Sequence, residues 1–181
     1  PVAGDLAANA QRFAQFAAAL PGHTLHVVGY SLGGVVALEA LERHAWERPG
    51  RVVCVGSPLT GSCTASALAR TALGRGIVGG CLGEHCARGG FAAWRGSREV
   101  GIIAGNLSLG AGRFVGALTG PNDGTVAIAE TQLPGCSDHI VLGLSHFAML
   151  WSAALVRQVA AFLESGHFAR TGTSEAAQPS R

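Results

Sequence analysis

The chain has 181 residues, 48% of them hydrophobic and 13% charged, with a formal charge of +2 at pH 7. That length suits one compact domain, and the composition excludes a chain that stays disordered over most of its length. Its 13 basic residues are all arginine, with no basic run or aromatic-interleaved stripe to mark a nucleic-acid partner, and no apolar stretch is long enough for a transmembrane segment.

Asp5 is placed to cap a helix carrying Leu6, Phe13, Phe16, Ala17 and Leu20 on one side, stopped by Pro21 and Gly22. Strands are expected near 24–30, 51–56, 99–105 and 137–144, with helix-length segments between them. That alternation implies a mostly parallel α/β sheet flanked by helices. Val35 to Trp46 reads as a helix with Val35, Leu38, Leu41 and Ala45 at helical spacing, a Glu39 and Arg43 pair, and a stop at Pro49 and Gly50. Residues 58–97 hold nine glycines and a scatter of apolar side chains. Two readings stand for this stretch: a mobile cap-like lid over a site, or an excursion whose apolar residues pack on the sheet. A last helix over about 147–165 would bury Phe147, Leu150, Trp151, Ala154, Leu155, Phe162 and Leu163. One domain over 1–168 and a disordered tail over 169–181 complete the division.

Cys54, Cys63, Cys81, Cys86 and Cys136 leave at least one thiol unpaired, which leans toward a reduced, cytoplasmic setting. The run Cys81 to Cys86, with Glu84 and His85 inside it, has no second ligand pair at zinc spacing. It is read as a local disulfide or as ordinary small residues, and no metal or other cofactor is expected.

The segment with chemistry in it is Gly29-Tyr30-Ser31-Leu32-Gly33, set between the strand-like Leu25 to Val28 and a helix. A sharp strand-to-helix turn strains the serine's backbone and lifts its hydroxyl off the sheet, so glycines two positions to either side are expected to relieve clashes. A serine hydroxyl is a poor nucleophile until a histidine takes its proton and an acid orients that histidine. Asp123, in Pro121-Asn122-Asp123-Gly124-Thr125-Val126, and His146, after the strand-like Ile140 to Leu144, follow in that order. Serine, then acid, then histidine is the α/β-hydrolase order, distinct from those of chymotrypsin-like and subtilisin-like enzymes. Asp138 and Glu130 are rival acids; His139, His23, His26 and His44 fall on elements unsuited to a base.

The sequence resembles bacterial α/β-hydrolases of the lipase and esterase type over roughly residues 5–168. The resemblance rests on G-Y-S-L-G-G at 29–34, V-G-S-P-L-T-G-S at 55–62, P-N-D-G-T-V at 121–126 and S-H-F-A-M-L at 145–150. It implies an α/β-hydrolase-like fold and hydrolysis of lipophilic carboxylic esters through an acyl-enzyme. Ser31, Asp123 and His146 would be the triad and the Leu32 N–H an oxyanion donor. Tyr30, Leu59, Ile77, Val78, Leu82, Phe91 and Trp94 would line the substrate site.

The chain departs from the family pattern in three places. Ser57 and Leu59 stand where many relatives have threonine and histidine, and Ala148 stands where calcium-binding relatives have aspartate, so no calcium site is expected there. Residues 1–28 contain no oxyanion loop beginning His-Gly. The expectation is therefore a piece of a longer enzyme or a reduced homologue. The competing reading is a non-catalytic protein that binds an acyl ligand, or a partner chain through an exposed sheet edge.

Overall fold

The computed structural model describes residues 5–44, 46–61, 72–109, 118 and 120–170, with the backbone alone at 72–79. Ala45, Cys63, the side chains of Ile77 and Val78, and the expected tail beyond 170 lie outside the described residues. Four strands, β1 (Val27–Tyr30), β2 (Val52–Val55), β3 (Val100–Gly105) and β4 (Asp138–Leu142), lie side by side in chain order, each parallel to the next. The helices are α1 (Leu6–Ala19), α2 (Leu32–Arg43), α3 (Ala72–Ala87), α4 (Ile128–Thr131) and α5 (Ala153–Ser165). This is an α/β-hydrolase-like architecture, a parallel sheet flanked by helices.

Parallel strands covered on both faces must be apolar on both, which explains why β2 and β3 are buried runs without a polar residue. The two-residue period of a strand then sorts their side chains into two core layers. Val52, Cys54, Val100 and Ile102 pack with Leu6, Val35 and Leu38 on the α1 and α2 side. Val53, Val55 and Ile103 pack with Met149, Leu155 and Phe162 on the α5 side. Gly101 is part of this second layer by omission, because a Cβ there would sit 2.7 Å from the Phe162 ring. Fully burying a phenylalanine contributes about 1.5–3 kcal/mol, so its seat on β3 matters.

Local signals work as expected in α1, where the Asp5 carboxylate accepts from the Ala8 N–H at 2.6 Å. They were misleading elsewhere. Five glycines hide α3, since each costs a helix about 1 kcal/mol relative to alanine. Tertiary contacts hold it instead: Glu84 Oε2 accepts from the Leu6 N–H at 2.8 Å, and just past its end Arg88 pairs with Glu39 at 3.0 Å.

In the described parts of 58–97, three large apolar side chains pack inward. Leu59, Phe91 and Trp94 are buried in the α1 and α2 side core, the Phe91 N–H donates to Leu59 O at 2.8 Å, and the Trp94 indole donates to Arg98 O at 2.8 Å. All three, expected from the sequence to line a substrate site, are buried in this core.

The last helix also differs from expectation. Ala148–Trp151 is a 3-10 turn, and Ser152 in extended conformation starts α5 afresh by accepting from the Leu155 N–H at 3.2 Å. The break puts residues on its two sides out of phase. Phe147, Leu150 and Trp151 are therefore 65%, 52% and 88% exposed, and Ala154 is exposed too, while Met149, Leu155 and Phe162 are buried.

The register aligns Tyr30, Val55, Ile103 and Ile140 across the sheet. The loops leaving β1, β2, β3 and β4 thus emerge at one end, where ligands of parallel α/β sheets bind. β1 and β4 are the edges of the described sheet, and Val28 on β1 is half exposed.

Buried His85 gives the fold a pH dependence. Its Nε2 lies 3.0 Å from both Pro58 O and Leu59 O, and burial pulls its pKa below the usual histidine value. The unfolded chain binds that proton more readily, so stability is lost as pH falls below about 6.5, by at most about 1.4 kcal/mol per pH unit for one site. Urea titrations from pH 7.5 to 5 should show this decline, and it should be shallower in His85→Gln.

Candidate active site

Ser31 has φ 52° and ψ −125°, the one positive φ outside glycine among the described residues. Its backbone is held in that strained state from both sides, with the Ser31 N–H donating to Val55 O at 2.8 Å and the Gly34 N–H donating to Ser31 O at 3.1 Å. A serine at a helix N-cap ordinarily turns its hydroxyl onto the helix N–H groups, but Ser31 makes no such side-chain cap bond. The twisted backbone aims the hydroxyl outward instead. Ser31 Oγ is 3.1 Å from His146 Nε2.

His146 Nδ1 lies 2.7 Å from Asp123 Oδ2. A carboxylate only accepts, so Nδ1 carries the proton and Nε2 is left as an acceptor for the serine hydroxyl. The other oxygen, Asp123 Oδ1, accepts from the N–H groups of Thr125 at 2.8 Å and Val126 at 2.7 Å. Those bonds are why the segment Asn122-Asp123-Gly124-Thr125-Val126 turns as it does, and they fix the carboxylate's rotamer. The backbone repeats the link, the His146 N–H donating to Asp123 O at 2.8 Å. Asp123 is 1% and His146 5% exposed, so the pair works at low dielectric.

Close packing of glycines makes room for this arrangement. A Cβ on Gly29 would lie 2.5 Å from Gly34 Cα, and one on Gly34 would lie 2.2 Å from the Oγ of buried Ser57. Nothing lies within 4 Å of a Cβ on Gly33. The steric need falls on Gly29 and Gly34, not on Gly33 as the five-residue pattern implies. Ser57 serves as the floor of the turn, its hydroxyl directed at Val55 O at 3.3 Å. Gly56 and Gly105 were missed by sequence reasoning. A Cβ on Gly56 would crowd His146 Nδ1 at 3.2 Å, and one on Gly105 would meet Asp123 Cβ at 2.9 Å. Their signal was position, each ending a strand or following directly after one.

The Leu32 N–H opens α2 and has no intrahelical acceptor. Beside it a groove of about 760 Å³ runs along β1, at an edge of the described sheet, lined by Phe13, Phe16, Val28, Tyr30, Val36 and Ser31 itself. Of the residues expected to bind substrate, Tyr30 lines this groove, and Leu82 is half-buried on α3 outside the lining. On the other side of the base, exposed Phe147 stands edge-on to the His146 ring at 6.2 Å.

The rival groups are engaged elsewhere. Asp138 pairs with Arg170 at 2.5 Å and accepts from the Phe168 N–H at 2.9 Å. Glu130 accepts from the Ala127 N–H at 3.0 Å, and His139 Nε2 meets Thr131 Oγ1 at 2.9 Å. Cys54 is buried beneath the turn, and burial pushes its thiol up to about 12. Among the described residues no group of three or more His, Cys, Asp or Glu could hold a metal ion, and no helix is long and apolar enough to cross a membrane.

No family model and no curated protein matches the sequence. Solved structures do. The mature form of lipase BlEst2 from Bacillus licheniformis superimposes with a TM-score of 0.67 at 20% identity, over 90% of this chain and 74% of that one. The propeptide form of the same lipase gives 0.61 at 18% identity, over 92% of this chain and 41% of that one. A metagenomic carboxyl esterase, MGS0156, gives 0.63 at 22% identity, over 80% of this chain and 52% of that one. The chain thus spans from under half to about three quarters of the structures it resembles, and shares with them the α/β-hydrolase-like fold.

The contrast between neighbouring glycines is testable by thermal and urea melts. Gly33→Ala should be neutral or stabilising by up to about 1 kcal/mol, since the site is open and alanine favours a helix. Gly34→Ala should cost about 1–3 kcal/mol through overpacking against Ser57.

Proposed function

We propose that this chain carries the site of a serine ester hydrolase, with Ser31 as nucleophile, His146 as general base and then acid, and Asp123 as the orienting acid. The observation that carries the reading is the unbroken contact from Asp123 Oδ2 through the imidazole to Ser31 Oγ, at 2.7 and 3.1 Å, on a serine held at positive φ.

The mechanism follows from those distances. As Ser31 Oγ attacks an ester carbonyl, His146 Nε2 takes its proton and Asp123 stabilises the imidazolium. The Leu32 N–H receives the developing oxyanion at the positive end of α2. His146 hands the proton to the departing alcohol, leaving an acyl group on Ser31. Water, deprotonated by the same nitrogen, then releases the acid and restores the serine.

A lipophilic acyl part is supported by the apolar groove at Ser31, by the exposed Phe147 beside the base and by the likeness to a lipase and a carboxyl esterase.

Hydrolysis of p-nitrophenyl esters of increasing acyl length tests the proposal. Ser31→Ala should lower turnover by about five to six decades and Asp123→Asn by about four. Turnover that survives Ser31→Ala within tenfold would show that another group is the nucleophile.

A further inference from the structure

The acid and base loops are joined twice, once by side chains and once by the His146 N–H to Asp123 O. Among the described residues, the serine turn and the base have no such backbone tie. Among the described residues, two hydrogen bonds connect the segment 27–34 with the loop 143–151. One is the reactive contact of Ser31 with His146. The other comes from Tyr30, whose hydroxyl donates to the carbonyl oxygen of His146 at 2.9 Å. The same ring lies against the imidazole, with centroids 4.9 Å apart and planes inclined at 36°.

We propose that Tyr30 is the positioning residue of the base: it ties the His146 loop to the serine turn so that Nε2 stays within reach of Ser31 Oγ. The proposal rests on the serine-hydrolase reading and deepens it, giving the residue before the nucleophile a role besides lining the groove. Geometry favours this role. At the end of β1 the hydroxyl of residue 31 meets Nε2 of the imidazole, while the side chain of residue 30 meets the ring and the main-chain carbonyl of the same histidine, so one strand end addresses both the ring and its backbone. A phenol is a stiff strut with two torsions, and its hydroxyl takes up a carbonyl that would otherwise draw water into the loop. The titratable groups beside it are Asp123 and His146. Burial, and next the charge of Asp123, push the phenol's pKa up, which keeps the hydroxyl protonated and a donor.

Replacing the donor while keeping the ring tests this. Tyr30→Phe should slow phosphonylation of Ser31 by a fluorophosphonate about five- to tenfold, the loss of one neutral hydrogen bond, without lowering the melting temperature in proportion. It should also broaden the low-field proton resonance of His146 Nδ1–H, because a looser loop exchanges that proton with water. Incorporating 4-aminophenylalanine at position 30 restores a donor at the same place and should recover both rate and line width, whereas 4-methylphenylalanine, closely similar in bulk but without a donor, should not. A Tyr30→Phe protein with the parental rate and a sharp Nδ1–H line overturns the proposal, as does equal recovery with both analogues. A parent that takes no phosphonate counts against the hydrolase reading instead, and the Nδ1–H line in the three variants then decides on Tyr30 by itself.

Discussion

Everything at this site depends on one close approach, the first turn of α2 lying directly on the end of β1. Gly29 and Gly34 touch without side chains between them, Ser57 forms the floor, and the serine at the corner is left at φ 52°. A non-glycine residue in that region costs on the order of 1–3 kcal/mol, which the surrounding bonds must offset. The bond from the Ser31 N–H to Val55 O does part of this by locking the corner onto the neighbouring strand. The strain has a chemical result, since a relaxed N-cap serine would spend its hydroxyl on α2. Here the hydroxyl is delivered to an imidazole.

The rest of the site is arranged by the sheet. Parallel strands in sequential order send the loops that follow them to one end, so residues 31, 123 and 146 meet although more than a hundred positions separate the first from the last. Absence of side chains at Gly56 and Gly105 leaves the volume into which the His146 and Asp123 pair fits. The Asp123 carboxylate is then oriented by the backbone of its own turn, and the imidazole by the carboxylate. Each link fixes the rotamer of the next, which is what lets a buried network of this kind hold a single geometry.

Much of this was legible in the sequence because the relevant signals are local. The four strands came within a few residues of their observed bounds, since short apolar, valine-rich runs such as Val52–Val55 have few alternatives. Ser31, Asp123 and His146 stood out by residue type and order at the ends of those strands. What was misread depended on tertiary contacts. Glycines concealed α3, whose stability comes from Glu84, His85 and Arg88 reaching other elements. Whether Phe91 and Trp94 formed a lid or packed on the sheet stayed open in the sequence, because apolar residues among glycines do not announce which surface they pack on. The run from Phe147 to Leu163 kept an apolar period through a break that only the capping role of Ser152 reveals. Gly33 was credited with a steric role belonging to Gly34, because the five-residue pattern counts from the serine and the contact counts from the floor.

Intact mass after treatment with a fluorophosphonate measures directly, without a choice of substrate, whether Ser31 beside His146 is a nucleophile. A single adduct is expected on the folded parent and none on Ser31→Ala. An unmodified parent, or an adduct that persists in Ser31→Ala, would rule that role out.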